Sequence, residues 1–296
     1  MRIQIEELRE RARQAHQLWE ACILCGRRCQ INRRERAGLC RAGNQAVVAS
    51  YGPHWGEERP LVGTGGSGTI FFSYCNLSCV FCQNYDISHE AEGEEVDGAG
   101  LGAVMLSLQK QGCENINLVS PTHYVPVILD GLAQAAEKGL HIPIVYNSGG
   151  YDSLEILQLL DGIIDIYLPD FKFASDDLGH KFCGVKDYAS VAKAALKEMH
   201  RQVGLPQLDA KGTARQGLII RHLVMPGLPE NTFDVVRFVV DEVSPQSWVN
   251  VMAQYYPAYR AEAHPPLDQP LFRREYRQVR RQAKRMAPEI RLLDDI

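Results

Sequence analysis

The sequence contains no apolar run that approaches the ~20 residues a helix needs to span a bilayer, which argues against a helical membrane protein. Its opening stretch, "MRIQIEELRERARQAHQLWEAC", is charged and amphipathic and lacks the apolar centre of a signal peptide, so the expected compartment is the cytoplasm. Charge of one sign is scarce too. A formal net charge of −4 over 296 residues argues against nucleic acid as the main partner. There is no repeat of fixed period and no low-complexity tract, so neither a solenoid nor a disordered chain is expected. Cysteine, by contrast, is plentiful. Nine cysteines without an export signal point to a reducing compartment, where clustered thiols are more often metal ligands than disulfides.

With 45% hydrophobic and 23% charged residues the chain can bury a sizeable core, and single α/β barrels often run to this length. Residues 1–65 read as a separate small segment: a helix, a cysteine-rich knot and a Gly/Pro-rich connector. The connector leads into "GTGGSG" (63–68), which resembles a nucleotide-cradling loop. It precedes a strand, however, and lacks a Lys-Ser/Thr pair at a helix start, so it reads as a hinge. From 66 to 296, β-branched runs alternate with helical patterns. Strands are predicted at 68–74, 115–120, 142–147, 163–170, 217–224 and 248–254, and helices near 98–111, 125–139, 152–161, 187–202, 231–243 and 271–286. In 231–243, Asn231 is the expected cap and Val236, Val239, Val240 and Val243 share a face. The last helix carries the basic run "RREYRQVRRQAKR", read as a solvated face. This alternation predicts an α/β fold of parallel βα units. Six units fall short of a closed eight-stranded barrel and predict a partial (β/α)6 TIM-like barrel, with a doubly wound sheet as the alternative. In both, chemistry gathers at the carboxyl ends of the strands.

The stretch "FFSYCNLSCVFCQNYDISHE" (71–90) sets Cys75, Cys79 and Cys82 at C-x3-C-x2-C spacing in the loop after the first predicted strand. Thiolates so close can face one soft metal centre. Iron–sulfur cubanes normally take four cysteines, and the next one, Cys113, lies beyond a predicted helix. A cubane bound by three thiolates keeps one iron open, and an open position marks a catalytic centre. A zinc knuckle is the rival reading.

"CNLSCVFC", with Phe81 just before the last cysteine, resembles the signature of the radical S-adenosylmethionine superfamily. The resemblance implies a [4Fe-4S] cluster on Cys75, Cys79 and Cys82, with S-adenosyl-L-methionine chelating the open iron. It implies reductive cleavage to methionine and a 5′-deoxyadenosyl radical, and a flavodoxin- or ferredoxin-type reductant. Together with "CILCGRRCQINRRERAGLC", "SPTHYVP", "YLPDFK", "RHLVMPG" and "AQYYP", the pattern is similar to homologues of the pyruvate formate-lyase activating enzyme over nearly the full chain. That likeness implies hydrogen abstraction and makes a glycyl-radical enzyme one candidate partner.

The remaining strand ends supply candidates for the same site. Where the activating enzyme has Gly-Gly-Glu for the methionine amine, this chain has Ser120, Pro121, Thr122 and His123. The hydroxyls of Ser120 and Thr122 can accept from an ammonium group. His123 is read either as a substrate contact or as bonded to a neighbouring loop. Asn147 and Ser148 are polar groups at the next rim, Gly149 and Gly150 allow close backbone approach, and Asp152 is expected to cap the following helix with Glu155. Asp170 and Lys172 lie two apart on a strand and point the same way. The resemblance puts Lys172 near the methionine carboxylate, Asp170 in the site wall, and Arg221 where it can bind the carboxylate bidentately. His222 then points to the opposite face. Gln254 or Tyr255 can reach adenosine or substrate.

Cys22, Cys25, Cys29 and Cys40 form a second set, with Gly38 before the last. Four thiolates can close around Zn²⁺ or a second iron–sulfur cluster, and the spacing leaves both open. With all positions filled, the role is structural or electron transfer. Residues 83–112 contain no cysteine, so the ferredoxin-like insert of some activating enzymes is absent. Cys113 and Cys183 read as isolated buried thiols, and 257–270 as an ordered loop over the barrel mouth. Two classes of function remain. One is a radical enzyme acting on a glycyl-radical enzyme, a small molecule or another protein; the other is a non-catalytic iron–sulfur or zinc protein in electron transfer or scaffolding.

Overall fold

The computed structural model describes residues 3–90 and 92–293. The chain opens with α1 (Ile5–Gln17), β1 (Ala46–His54), a short α2 (Arg59–Val62), β2 (Ser67–Phe72), α3 (Tyr85–His89) and β3 (Glu94–Val96). Regular alternation follows: α4 (Gly98–Lys110), β4 (Ile116–Val119), α5 (Val125–Glu137), β5 (Ile144–Asn147), α6 (Leu154–Leu160) and β6 (Ile166–Tyr167). Then come α7 (Asp176–Cys183), α8 (Tyr188–Val203), β7 (Gln207–Leu208), β8 (Ala214–Leu223), α9 (Pro229–Phe238), β9 (Trp248–Met252), α10 (Arg273–Met286) and β10 (Arg291–Leu292).

The sheet order is β10-β9-β8-β6-β5-β4-β2-β1-β3, with β7 paired off this path to β8. From β2 to β10 each pair along the order is parallel, while β1 and β3 extend the other end antiparallel. The six expected βα units are therefore present as a mostly parallel sheet whose two ends do not pair among the described residues. Burial follows the period of two along a strand. Ile70, Leu118, Tyr146 and Ile220 join the main core beneath the helices. Their neighbours Val145, Ile166, Ile219 and Trp248 form a second apolar cluster on the other face, closed by Leu61 of α2.

Residues before the barrel share this core. α1 buries Leu8, Ala12 and Ala15, and it is tied to α5 by His16 Nε2 to Asp130 Oδ2 at 2.6 Å and by an Arg9–Glu137 ion pair. β1 pairs with β2 through Pro53↔Gly68 and His54↔Ser67. The "GTGGSG" turn packs closely, since a Cβ on Gly65 would stand 1.8 Å from the Gly112 carbonyl oxygen. α9 starts at Pro229, so Asn231 is inside the helix. Its side chain instead accepts from the Ala174 amide at 3.0 Å and donates to the Lys172 carbonyl at 2.9 Å. The valine face survives: Val236 and Val239 are buried, and a π-helical turn over Val239–Val243 completes it. α10 buries Tyr276, Val279 and Ala283 and turns its basic residues outward. Among the described residues no helix is long and apolar enough to cross a membrane.

Candidate active site

The loop that leaves β2 is held on three sides. Asn76 donates from Nδ2 to the Tyr151 carbonyl at 2.9 Å, and its own carbonyl accepts from Arg27 Nε at 2.6 Å. The amides of Ser78 and Val80 donate to the carbonyls of Cys183 and Phe182 at the end of α7, at 2.9 and 3.0 Å. The Val80 carbonyl accepts from Arg260 in the 257–270 loop at 2.9 Å. Tyr255 anchors that loop by donating to the Leu267 carbonyl, and Tyr259 stacks on His89 with ring centroids 4.5 Å apart. The 257–270 segment thus packs against the cysteine loop.

On this frame Cys79 is buried, and Cys75 and Cys82 are half-buried. The Leu77 amide donates to Cys75 Sγ at 3.4 Å, and Cys82 Sγ lies 3.1 Å from Ser88 Oγ. Burial pushes the Cys75 thiol up to about 12 and raises Cys82; a hydrogen bond to Cys183, then burial, raises Cys79. Phe81 is buried edge-on against Phe173 at 6.0 Å. A cavity of about 230 Å³ opens beside Cys79, Phe81 and Cys82, and its opposite wall is made by Asp170, Lys172, Arg221 and Gln254.

That wall comes from three strand ends. Asp170 Oδ1 accepts from Arg221 Nε at 2.8 Å, Asp170 Oδ2 accepts from Lys172 Nζ, and Asn147 Oδ1 accepts from Arg221 Nη2 at 2.6 Å. Burial alone would raise Asp170, but Arg221 and Lys172 hold its carboxyl below the usual range. Burial works against a charged Lys172, and Asp170 with the nearby thiols outweighs it, so the lysine stays cationic. Gly150 makes the close approach possible: at φ +76°, a Cβ there would stand 2.4 Å from the Asp170 carbonyl oxygen. A second cavity of about 520 Å³ shares Arg221, Met252 and Gln254 with the first, and Glu57, Glu58 and Asn250 also line it. Glu57 lies 3.7 Å from Arg221 Nη1, and burial outweighs that cation to push its carboxyl up to about 7.

Other predicted residues lie apart from these cavities. Asp152 does not cap a helix; Ser153 does, its hydroxyl oxygen accepting from the Ile156 amide. Asp152 is buried and accepts from Thr122 Oγ1 at 2.7 Å, Tyr146 Oη at 2.9 Å and Ser148 Oγ at 2.6 Å. These bonds spend the hydroxyl protons of Thr122 and Ser148 within the protein, because a buried carboxylate needs donors. Ser120 follows β4 at φ +58°, its amide donating to the Asn147 carbonyl at 2.8 Å. His123 donates from Nε2 to the Ser73 carbonyl at 3.0 Å, the neighbouring-loop geometry.

His222 donates from Nδ1 to the Phe171 carbonyl at 2.8 Å and accepts from Thr232 Oγ1 at 2.9 Å, so it is held neutral. Burial lowers it from 6.5 to about 4. Its folded value lies below its unfolded one, so the unfolded chain takes up the proton first and stability falls as pH drops from 6.5 towards 4. Relative to a His222→Asn variant, wild type is expected to lose about 2 kcal/mol between pH 7.5 and 5 in denaturant titrations. A pH-independent difference would contradict this assignment.

Sequence reading missed two features. Cys183 is not isolated: its Sγ lies 3.4 Å from Cys79 Sγ, carried there as the last residue of α7. Glu57 and Glu58 sat in a connector, where charge is normally solvated, yet both are buried.

Three soft thiols on one braced loop, a cavity beside two of them and a facing cation suit an iron–sulfur cluster. The fold and loop together define a radical S-adenosylmethionine protein. Residues 69–239 match the Radical SAM superfamily, and the chain belongs to it. Its members are enzymes of radical chemistry that use an iron–sulfur cluster and S-adenosylmethionine. The chain is 33% identical over 269 residues to an uncharacterised protein of Methanocaldococcus jannaschii, covering 87% of this chain and 72% of that one. It is 24% identical over 270 residues to a second uncharacterised protein of the same organism, covering 83% and 73%. Among solved structures it is similar to Streptococcus suis SuiB bound to S-adenosylmethionine, at 12% identity and a TM-score of 0.53, covering 74% of this chain. It spans about half the length of SuiB, 47%.

Proposed function

We propose that the protein cleaves S-adenosylmethionine reductively and uses the product radical to take hydrogen from a substrate. The observation that carries this reading is the convergence of Cys79 and Cys82 with Asp170, Lys172 and Arg221 on one cavity. Cys75, Cys79 and Cys82 would hold the cluster, leaving its fourth iron to the methionine amine and carboxylate. When bound, this pair supplies a one-electron cleavage of the sulfonium and a 5′-deoxyadenosyl radical. Lys172 would offer its remaining donors to the methionine carboxylate. Arg221 is already engaged by Asp170 and Asn147, so its part is to fix Asp170 and to present Nη1 at the junction of the two cavities. Phe81 and Phe173 exclude water beside the thiols. The adjoining cavity with Glu57, Glu58 and Asn250 would take the substrate, Gln254 standing between the two ligands.

Anaerobic reconstitution followed by reduction is expected to yield 5′-deoxyadenosine from S-adenosylmethionine. No product under those conditions would favour the non-catalytic electron-transfer or scaffold reading. The finer reading is an activating enzyme, served in the cytoplasm by a flavodoxin- or ferredoxin-type reductant, whose substrate is a backbone glycine of a glycyl-radical enzyme. SuiB, a structural neighbour, has been crystallised with its precursor peptide, which supports a polypeptide substrate as a class. Incubation with a host glycyl-radical enzyme should give a glycyl doublet in the EPR spectrum. Its absence with every such enzyme would leave a small molecule or another protein as substrate.

A further inference from the structure

We propose that Cys22, Cys25, Cys29 and Cys40 hold a second metal centre, a dicationic core of zinc or iron–sulfur type bound by four thiolates, with Arg33 as its built-in counter-charge.

The argument starts from Arg33, which is only 1% exposed. Its Nη1 donates to Cys22 Sγ at 3.8 Å and to Cys40 Sγ at 3.7 Å, so one guanidinium nitrogen faces two of the four sulfurs. Its Nη2 donates to the carbonyls of Gly43 and His123, and its buried Nε has no partner. Among the described residues no carboxylate pairs with it. A cation taken this far from water is costly unless an anion compensates it. Neutral thiols give little compensation, and four bare thiolates would repel one another. Thiolates gathered around a dicationic core remove both difficulties. The core screens the sulfurs from each other, and the remaining negative charge is what the guanidinium faces.

The chain around these residues leaves room for such a core. Gly38 is the residue that permits Arg33 and Cys40 to meet: a Cβ there would stand 3.2 Å from Arg33 Cδ and 3.3 Å from Cys40 Sγ. All four cysteines are free thiols, three of them buried. Among the described residues no such group already stands at single-ion distance, so binding requires the sulfurs to move inward.

The position of this segment gives the centre a task. The Gly26 amide donates to the Tyr151 carbonyl at 3.3 Å, and a Cβ on Gly26 would collide with the Tyr151 ring at 2.5 Å. Arg27, two residues after Cys25, donates to the Asn76 carbonyl inside the catalytic cysteine loop. A metal clip at Cys22–Cys29 therefore stiffens the segment that braces the loop carrying Cys75.

The test uses the full chain with Cys75, Cys79 and Cys82 all changed to Ala, so its outcome is independent of the catalytic cluster. One sample is loaded with zinc alone and another with ferrous iron and sulfide, and metal and sulfide are counted after desalting. About one zinc or about four irons with matching sulfide should remain per chain, and the arm that fills names the core. A chain that retains neither overturns the proposal. Arg33→Met and Arg33→Lys in the same background supply a readout that does not depend on deleting a ligand. Arg33→Met should surrender its metal to a chelator about tenfold more readily, with Arg33→Lys in between. Equal retention in all three proteins would overturn the counter-charge assignment.

Discussion

Cys79→Ala is expected to abolish formation of 5′-deoxyadenosine, to below about one part in a thousand of wild type, because it removes a thiol proposed to hold the cluster. Cys79 sits in the middle of the loop, buried between Cys183 and the cavity, and no other thiol on that loop can replace it. Cys75→Ala and Cys82→Ala should behave alike, since each removes one of the three thiols proposed to hold the cluster. Cys113→Ala should have no effect, because Cys113 is buried at the far end of β4, before its first residue. The informative control is Cys183→Ala. Its sulfur lies close to Cys79, so loss of product in that variant would make Cys183 a fourth ligand and overturn the three-thiol assignment. Retained product, with iron content unchanged, would support it.

The second large effect is expected at Asp170. This carboxylate is shared by Lys172 and Arg221, and all three groups are about 19% exposed or less at the side chain. Asp170→Asn keeps the shape and one acceptor but leaves two nearly buried cations facing each other. Removing one partner of a buried ion pair typically costs about 3–5 kcal/mol. For a chain of this size, that corresponds to a melting midpoint lower by on the order of 10 °C. Thermal unfolding of wild type and variant in parallel checks the value. A shift under about 2 °C would mean that Asp170 is not the anion on which the wall rests.

Much of the barrel was legible in the sequence for a physical reason. β2, β4, β5, β8 and β9 are largely buried, so each carries a short stretch rich in apolar and β-branched residues, such as "TIFF", "IVY" and "LII". β1 was hidden because "AVVASYGPH" carries Gly52 and Pro53 and is half exposed, which is the signature of a connector. β3 is short and largely exposed, so its burial left almost no pattern. Capping was misread twice for one reason. Asp152 and Asn231 have the right side chains for a helix start, yet each is drawn into a buried network that spans distant elements. Only tertiary contact creates those partners. The wall of the cavity was readable from strand ends, since Asp170, Lys172 and Arg221 follow apolar runs at the expected rim. Cys183 and Glu57 were not, because nothing local marks a lone thiol or a connector carboxylate as lying next to a site.

One carboxylate serving two cations from neighbouring strands also limits how this site can change over time. Swapping Lys172 alone, or Arg221 alone, alters the surroundings of the other, so their effects should not add, whereas substitutions on the outer face of α10 should. Descendants that adopt a different ligand can vary Gln254 singly. At 170, 172 and 221 they must move as a set.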